Sequence, residues 1–123
     1  MSSTIKESST NAHNARLLSE WCGVNDILRD ISPRWKMVLL HQIAHGVAQY
    51  SLLKQSFPTL SDHVLSQRLA ELVTEKLVKK SFVPETVPPQ TRYSPTPKGL
   101  ALLAIVAKLN QWGNRIWVEE QDA

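Results

Sequence analysis

Apolar residues recur at helical spacing along most of the chain, interrupted beyond Leu77 by a stretch of shorter period. The first 16 residues, MSSTIKESSTNAHNAR, are polar and without periodicity, so a mobile tail is expected there. From Leu17 the pattern changes, and Val24, Ile27, Leu28 and Ile31 predict a short helix over residues 22–31. Ser32 as cap, Pro33 at the first helical position and Gly46 as a left-handed stop bracket the next helix. Its expected inward stripe is Trp35, Val38, Leu39 and Ile43. Ser51 to Phe57 predicts another short helix, closed by Pro58.

The next stretch, LSDHVLSQRLAEL at residues 60–72, is amphipathic with its polar residues gathered at the start. Ser61 is placed to cap it, and Asp62 suits the positive end of the dipole. Val64 stands where a capping box needs Glu or Gln. On a helical wheel His63, Ser66, Gln67, Ala70 and Thr74 lie opposite the Leu65, Leu69 and Leu72 stripe. Beyond Leu77, Val78 to Val83 reads as a strand, PETVPPQT as a loop, and Arg92 to Ser94 as the returning strand. Thr96 and Pro97 then start a long helix expected to reach Val118. Leu100, Leu102, Leu103, Ile105, Val106 and Leu109 surround much of its first half, so one face can pack on its own domain while another asks for a second subunit.

The predicted class is therefore mainly α with a small β-hairpin (α+β). The expected layout is a polar tail at 1–16, one domain at 17–118 and an acidic tail at 119–123. No repeat of roughly 20–50 residues is apparent, which argues against a solenoid. Two helices joined by PTLS and followed by a hairpin have the order of a winged helix-turn-helix, whose second helix enters the major groove of DNA by its N-terminal residues. In that setting Gln67 matches adenine N6 and N7, Ser66 can bond several base edges, and His63 can donate to guanine or phosphate. Ser61 opens the same helix, and Arg68, toward the packed side, is expected to reach phosphate or solvent. Lys79, Lys80, Gln90 and Arg92 flank the hairpin, where they would meet the duplex backbone. The bland reading of each, a solvated face, is weakened by the helix order.

Composition alters this picture little. The 123 residues carry a formal net charge of +3 and 42% hydrophobic residues, ordinary for a globular domain and permissive of a polyanionic partner. A single cysteine, Cys22, rules out an internal disulfide and points to a reducing compartment. With no signal sequence and no run of roughly 18 apolar residues expected, the chain reads as cytoplasmic and without a membrane partner.

The segments WCGVNDILRDISPRWKMVLL, LSQRLAELVTEKLVKK, VPPQTRYSPTPKGLALL and LNQWGNRIW together resemble HxlR-type bacterial regulators. The likeness runs from Trp21 to Trp117 and is most specific at Cys22, Trp35-Lys36, Pro88-Pro89, Tyr93-Ser94, Thr96-Pro97 and Gly99. It implies a homodimeric winged-helix transcription factor paired through the first and last helices, with Ile27, Leu103, Val106, Leu109, Trp112 and Ile116 at the interface. It implies an inverted-repeat operator in double-stranded DNA, and a cysteine that can respond to oxidants or electrophiles. The chain departs from the pattern at Gly23, where proline is common, and at Lys76, where glycine is frequent. Gln90 replaces a frequent arginine, and the loop is one residue longer at Thr86.

Three further features invite chemistry. Cys22 near the expected helix start would gain thiolate character from the dipole, with Asp26 opposing it; the alternative is a packed thiol acting as a small hydrophobe. HQIAH at residues 41–45 has Gln42 where a zinc peptidase needs a glutamate, so His41 and His45 read as polar residues of a mostly buried helix. Trp35, Trp112 and Trp117 read as packing rather than a ligand cage. No cofactor, no metal and no enzyme activity are expected. The competing reading is a winged-helix protein-interaction module without a DNA role.

Overall fold

The computed structural model describes residues 2–84 and 90–115. The elements are α1 (Ser2–Ile31), α2 (Lys36–Ala44), α3 (Tyr50–Ser56), α4 (Asp62–Thr74), β1 (Val78–Val83), β2 (Gln90–Pro95) and α5 (Pro97–Gly113). Thr86, Pro88, Pro89, Ile116, Trp117, Val118 and the 119–123 tail lie outside the described residues. Two compact units divide after Pro33.

The first unit is α1. It contains the 22–31 helix that the apolar spacing predicts, and it also takes in the stretch up to residue 16 read as a tail. No proline or glycine precedes Gly23, so nothing local stops the helix from extending toward the N-terminus. Ser32 closes this helix instead of capping the next: its N–H donates to the Leu28 carbonyl at 2.9 Å and its hydroxyl to the Arg29 carbonyl at 3.2 Å. Pro33 prevents further propagation.

In the second unit, α2 starts three residues later than a Ser32–Pro33 cap would place it, after Trp35 in a left-handed conformation with φ 77°. That turn points Lys36 and Leu40 inward with Leu39 and Ile43, and leaves Val38 exposed, a rotation of the expected stripe. Leu53 of α3, Leu60, and Leu65, Leu69 and Leu72 of α4 complete the core with Leu77, Val78 and Tyr93. The strand prediction for β1 matches at both ends, while β2 is longer than the three residues expected. The pair is antiparallel, with Val78 opposite Pro95 and Val83 opposite Gln90. Gln49 forms a single bridge to Arg92, and the Tyr93 N–H donates to the Ala48 carbonyl at 2.7 Å, which ties the hairpin to the start of α3.

Two helices end in the same way. At α2, Gly46 N–H donates to Ile43 O and Val47 N–H to Gln42 O, with Gly46 at φ 101°. At α4, Lys76 N–H donates to Val73 O and Leu77 N–H to Leu72 O, with Lys76 at φ 60°. Both are Schellman caps, and the second places a β-carbon where glycine is at ease. The buried Leu72–Leu77 pair explains why the cap persists. Lys76→Gly is expected to stabilise the protein by about 1 kcal/mol, read as a higher denaturation midpoint in urea with an unchanged slope.

Candidate nucleic-acid interface

The N-terminus of α4 is built by side chain and dipole together. Ser61 Oγ accepts from the Val64 N–H at 3.1 Å, as its position predicts, and Asp62 occupies the first turn. With Leu65, Leu69 and Leu72 buried, the 3.6-residue period turns His63, Ser66, Gln67, Ala70 and Thr74 outward, and all five are exposed. The polar half of the amphipathic helix is thus presented as the wheel predicts.

Beside it runs a groove of about 410 Å³ between α4 and the hairpin, lined by Tyr50, Ser66, Thr74, Lys80, Thr91 and Tyr93. Burial, and then the nearby Tyr50, push the Tyr93 phenol above its ordinary pKa, so it stays protonated as a hydrogen-bonding group. Strand alternation sorts the basic residues of the hairpin. Lys80 pairs with Tyr93 across the strands, while Lys79 pairs with Ser94 and Arg92 with Ser81 on the opposite face. Lys79, Lys80, Gln90 and Arg92 are all exposed. Lys80 also sits 5.8 Å from the centre of the exposed Phe82 ring, which gives the hairpin an apolar and cationic edge.

Arg68 takes a different place from the one expected. Its Nε donates to the Arg34 carbonyl at 3.0 Å, and one terminal nitrogen bonds both Glu71 carboxylate oxygens at 3.2 and 3.1 Å. Its guanidinium is engaged in joining α4 to the entry of α2, not turned toward the groove face. A second link is the pair between buried Lys36 and Glu75, 2.5 Å apart, at the other end of α4. Sequence reasoning also missed Tyr50, whose hydroxyl lies 3.5 Å from Asp62 Oδ1 and 3.3 Å from Ser66 Oγ. A polar tip on a short helix was the only signal available.

Cys22 is exposed, but it stands far inside α1, not near its start, so the helix-dipole argument for a thiolate does not apply. His41 on α2 and His45 at its C-cap are exposed, on a helix whose Lys36, Leu39, Leu40 and Ile43 are buried. Their rings stack at 4.1 Å, and His45 Nδ1 lies 2.8 Å from the His41 carbonyl. No group of three metal-ligating side chains gathers among the described residues. Trp35 packs edge-on against Phe57 at 5.5 Å. Of the expected interface residues, Leu103 and Val106 are half-buried, and Ile27, Leu109 and Trp112 are exposed on their own helices. No helix among the described residues is long and apolar enough to cross a membrane.

Comparison with known proteins fits this geometry. A family model described as "HxlR-like helix-turn-helix" matches residues 30–122. The chain is 37% identical over 102 residues to the HTH-type transcriptional regulator YvaP of Bacillus subtilis (strain 168), covering 82% of this chain and 93% of that one. A crystal structure of a transcriptional regulator of the MarR family from Enterococcus faecalis V583 matches with a TM-score of 0.72 at 26% identity, over 84% of this chain and 93% of that one. The redox regulator HypR in its oxidized form matches with a TM-score of 0.66 at 28% identity, over 77% of this chain and 99% of that one.

Proposed function

From the premise that the chain belongs to the HxlR-like helix-turn-helix family of transcriptional regulators, we propose that it acts as a sequence-specific DNA-binding homodimer. The observation that carries this reading is the capped N-terminus of α4, which presents His63, Ser66 and Gln67 outward beside the Lys80 groove. Such a helix places short hydrogen-bonding side chains at base edges, while hairpin lysines hold the backbone. The apolar residues exposed on α1 and on α5, including Trp21, Ile27, Ile105 and Trp112, support pairing with a second copy. Two recognition helices related by a dyad fit an inverted repeat with half-sites about one helical turn apart.

Electrophoretic mobility shifts with the duplex upstream of the coding sequence, repeated across a salt series, test the reading. Gln67→Ala is expected to reduce discrimination between sequences by roughly 1–3 kcal/mol, as the loss of a bidentate adenine contact would. Lys79→Ala should instead weaken all duplexes alike and reduce the salt slope by about 1. Binding that is absent, or insensitive to salt, defeats the proposal and favours a protein-interaction module.

The likeness to the redox regulator HypR supports a thiol response at the exposed Cys22. With one cysteine per chain, two copies can each give up one electron and one proton to an oxidant and join through a disulfide. Diamide is expected to abolish operator binding by the wild type and to leave Cys22→Ser unaffected in the same mobility-shift assay. An equal response in both proteins removes Cys22 from the mechanism.

A further inference from the structure

Tyr50 of α3 sits where it governs a residue of the recognition helix. Its hydroxyl is 3.5 Å from Asp62 Oδ1, as donor, and 3.3 Å from Ser66 Oγ. Asp62 is also 3.5 Å from Lys54 Nζ, and an ionised carboxylate beside an ammonium can only accept hydrogen bonds. A phenol has one proton. If that proton points to Asp62, the Ser66 hydroxyl must donate to the Tyr50 oxygen for the two to be bonded. Ser66 then has lone pairs, and no proton, to offer toward the exposed side of α4.

We propose that Tyr50 is a specificity-determining positioning residue: the relay from Ser66 through Tyr50 to Asp62 makes Ser66 an acceptor that selects an amino base. Resting on the DNA-binding reading above, this narrows what Ser66 recognises. In the major groove the amino groups are adenine N6 and cytosine N4, whereas guanine and thymine present O6 and O4 acceptors. An acceptor-only serine therefore favours adenine or cytosine over guanine or thymine on the strand it touches. A serine whose proton can turn outward accepts either class.

Neither Tyr50 nor Asp62 needs to contact DNA for this to work. The groove beside the relay, lined by Tyr50, Ser66 and Lys80, keeps the outer side of Ser66 accessible to a base edge. The Ser61 cap fixes the pitch of the first turn, so the relay acts on a hydroxyl whose position is already set.

The test is selection of bound duplexes from a random library by the full chain, read by sequencing, for wild type, Tyr50→Phe, Asp62→Ala and Ser66→Ala. The position read by Ser66 is the one that loses its preference in Ser66→Ala. At that position wild type should enrich adenine or cytosine on one strand. Tyr50→Phe and Asp62→Ala should each cut the amino-over-keto preference there by about tenfold, with the other positions of the motif retained. Asp62→Ala keeps the tyrosine ring, so it stands in if Tyr50→Phe fails to fold. A guanine or thymine preference at that position overturns the proposal alone, as does an unchanged motif in both variants. Failure of the wild type to enrich any sequence overturns the DNA-binding reading and this inference with it.

Discussion

Glu75→Ala is expected to destabilise the fold by about 3–5 kcal/mol, the usual cost of stranding a buried charge. Lys36 is almost fully buried, and its ammonium lies 2.5 Å from a Glu75 carboxylate oxygen. The carboxylate is more accessible, with 28% of its side chain exposed, so the two members of the pair are unequal. Removing the glutamate leaves the lysine inside without a counter-charge; removing the lysine leaves a glutamate that can turn to water. Lys36→Met should therefore cost less than Glu75→Ala. The double variant Lys36→Met/Glu75→Leu should recover most of the loss, because both charges leave the interior together. Urea denaturation at neutral pH measures all three. A loss below about 1 kcal/mol in Glu75→Ala would mean that the lysine finds water and that the pair does not hold α4 to α2. The consequence reaches the proposed interface, because Glu75 caps the end of the helix whose beginning presents His63, Ser66 and Gln67. Its carbonyl also accepts from Lys98 Nζ at 2.9 Å, which brings α5 to the same point.

The pattern of the sequence reveals the recognition helix better than it reveals its supports. Leu65, Leu69 and Leu72 are spaced by the helix repeat, and that alone turns His63, Ser66 and Gln67 outward. The Ser61 and Thr96 caps are equally legible, since each acts on backbone within three residues. What could not be read is long-range. Lys36 looks like a surface residue until the left-handed Trp35 rotates α2, and its partner is 39 residues away. Arg68 looks available for phosphate until Arg34 and Glu71 are found around it. The start of α1 was missed for a different reason: a polar segment without breakers carries no periodicity to announce a helix. Cys22 lost its dipole argument through that one boundary.

The second large effect is expected at Gly99, where helix propensity and packing make opposite predictions. Gly99 lies in the first turn of α5, and its N–H donates to the Thr96 hydroxyl oxygen at 3.0 Å. By propensity alone, alanine in a helix should stabilise it by about 1 kcal/mol. Yet a β-carbon there would lie 2.1 Å from the Leu77 carbonyl oxygen and 3.1 Å from its carbon. That oxygen cannot step aside, because it accepts from the Thr96 N–H at 3.1 Å, and the Thr96 hydroxyl donates to the adjoining Lys76 carbonyl at 2.6 Å. Leu77 is itself fixed by the Schellman bond to Leu72 at the end of α4. Gly99→Ala must therefore push α5 away from the junction of α4 and β1, at a cost of about 3 kcal/mol or more. A fall of roughly 12 °C or more in the thermal midpoint is the expected reading for a domain of this size. Gly113→Ala, at the far end of the same helix, where the added carbon meets open space among the described residues, serves as the control and should be neutral or slightly stabilising. Similar midpoints for the two variants would mean that α5 can leave the Leu77 carbonyl freely. In that case the close approach of helix and strand would not be what sets the hairpin against the recognition helix.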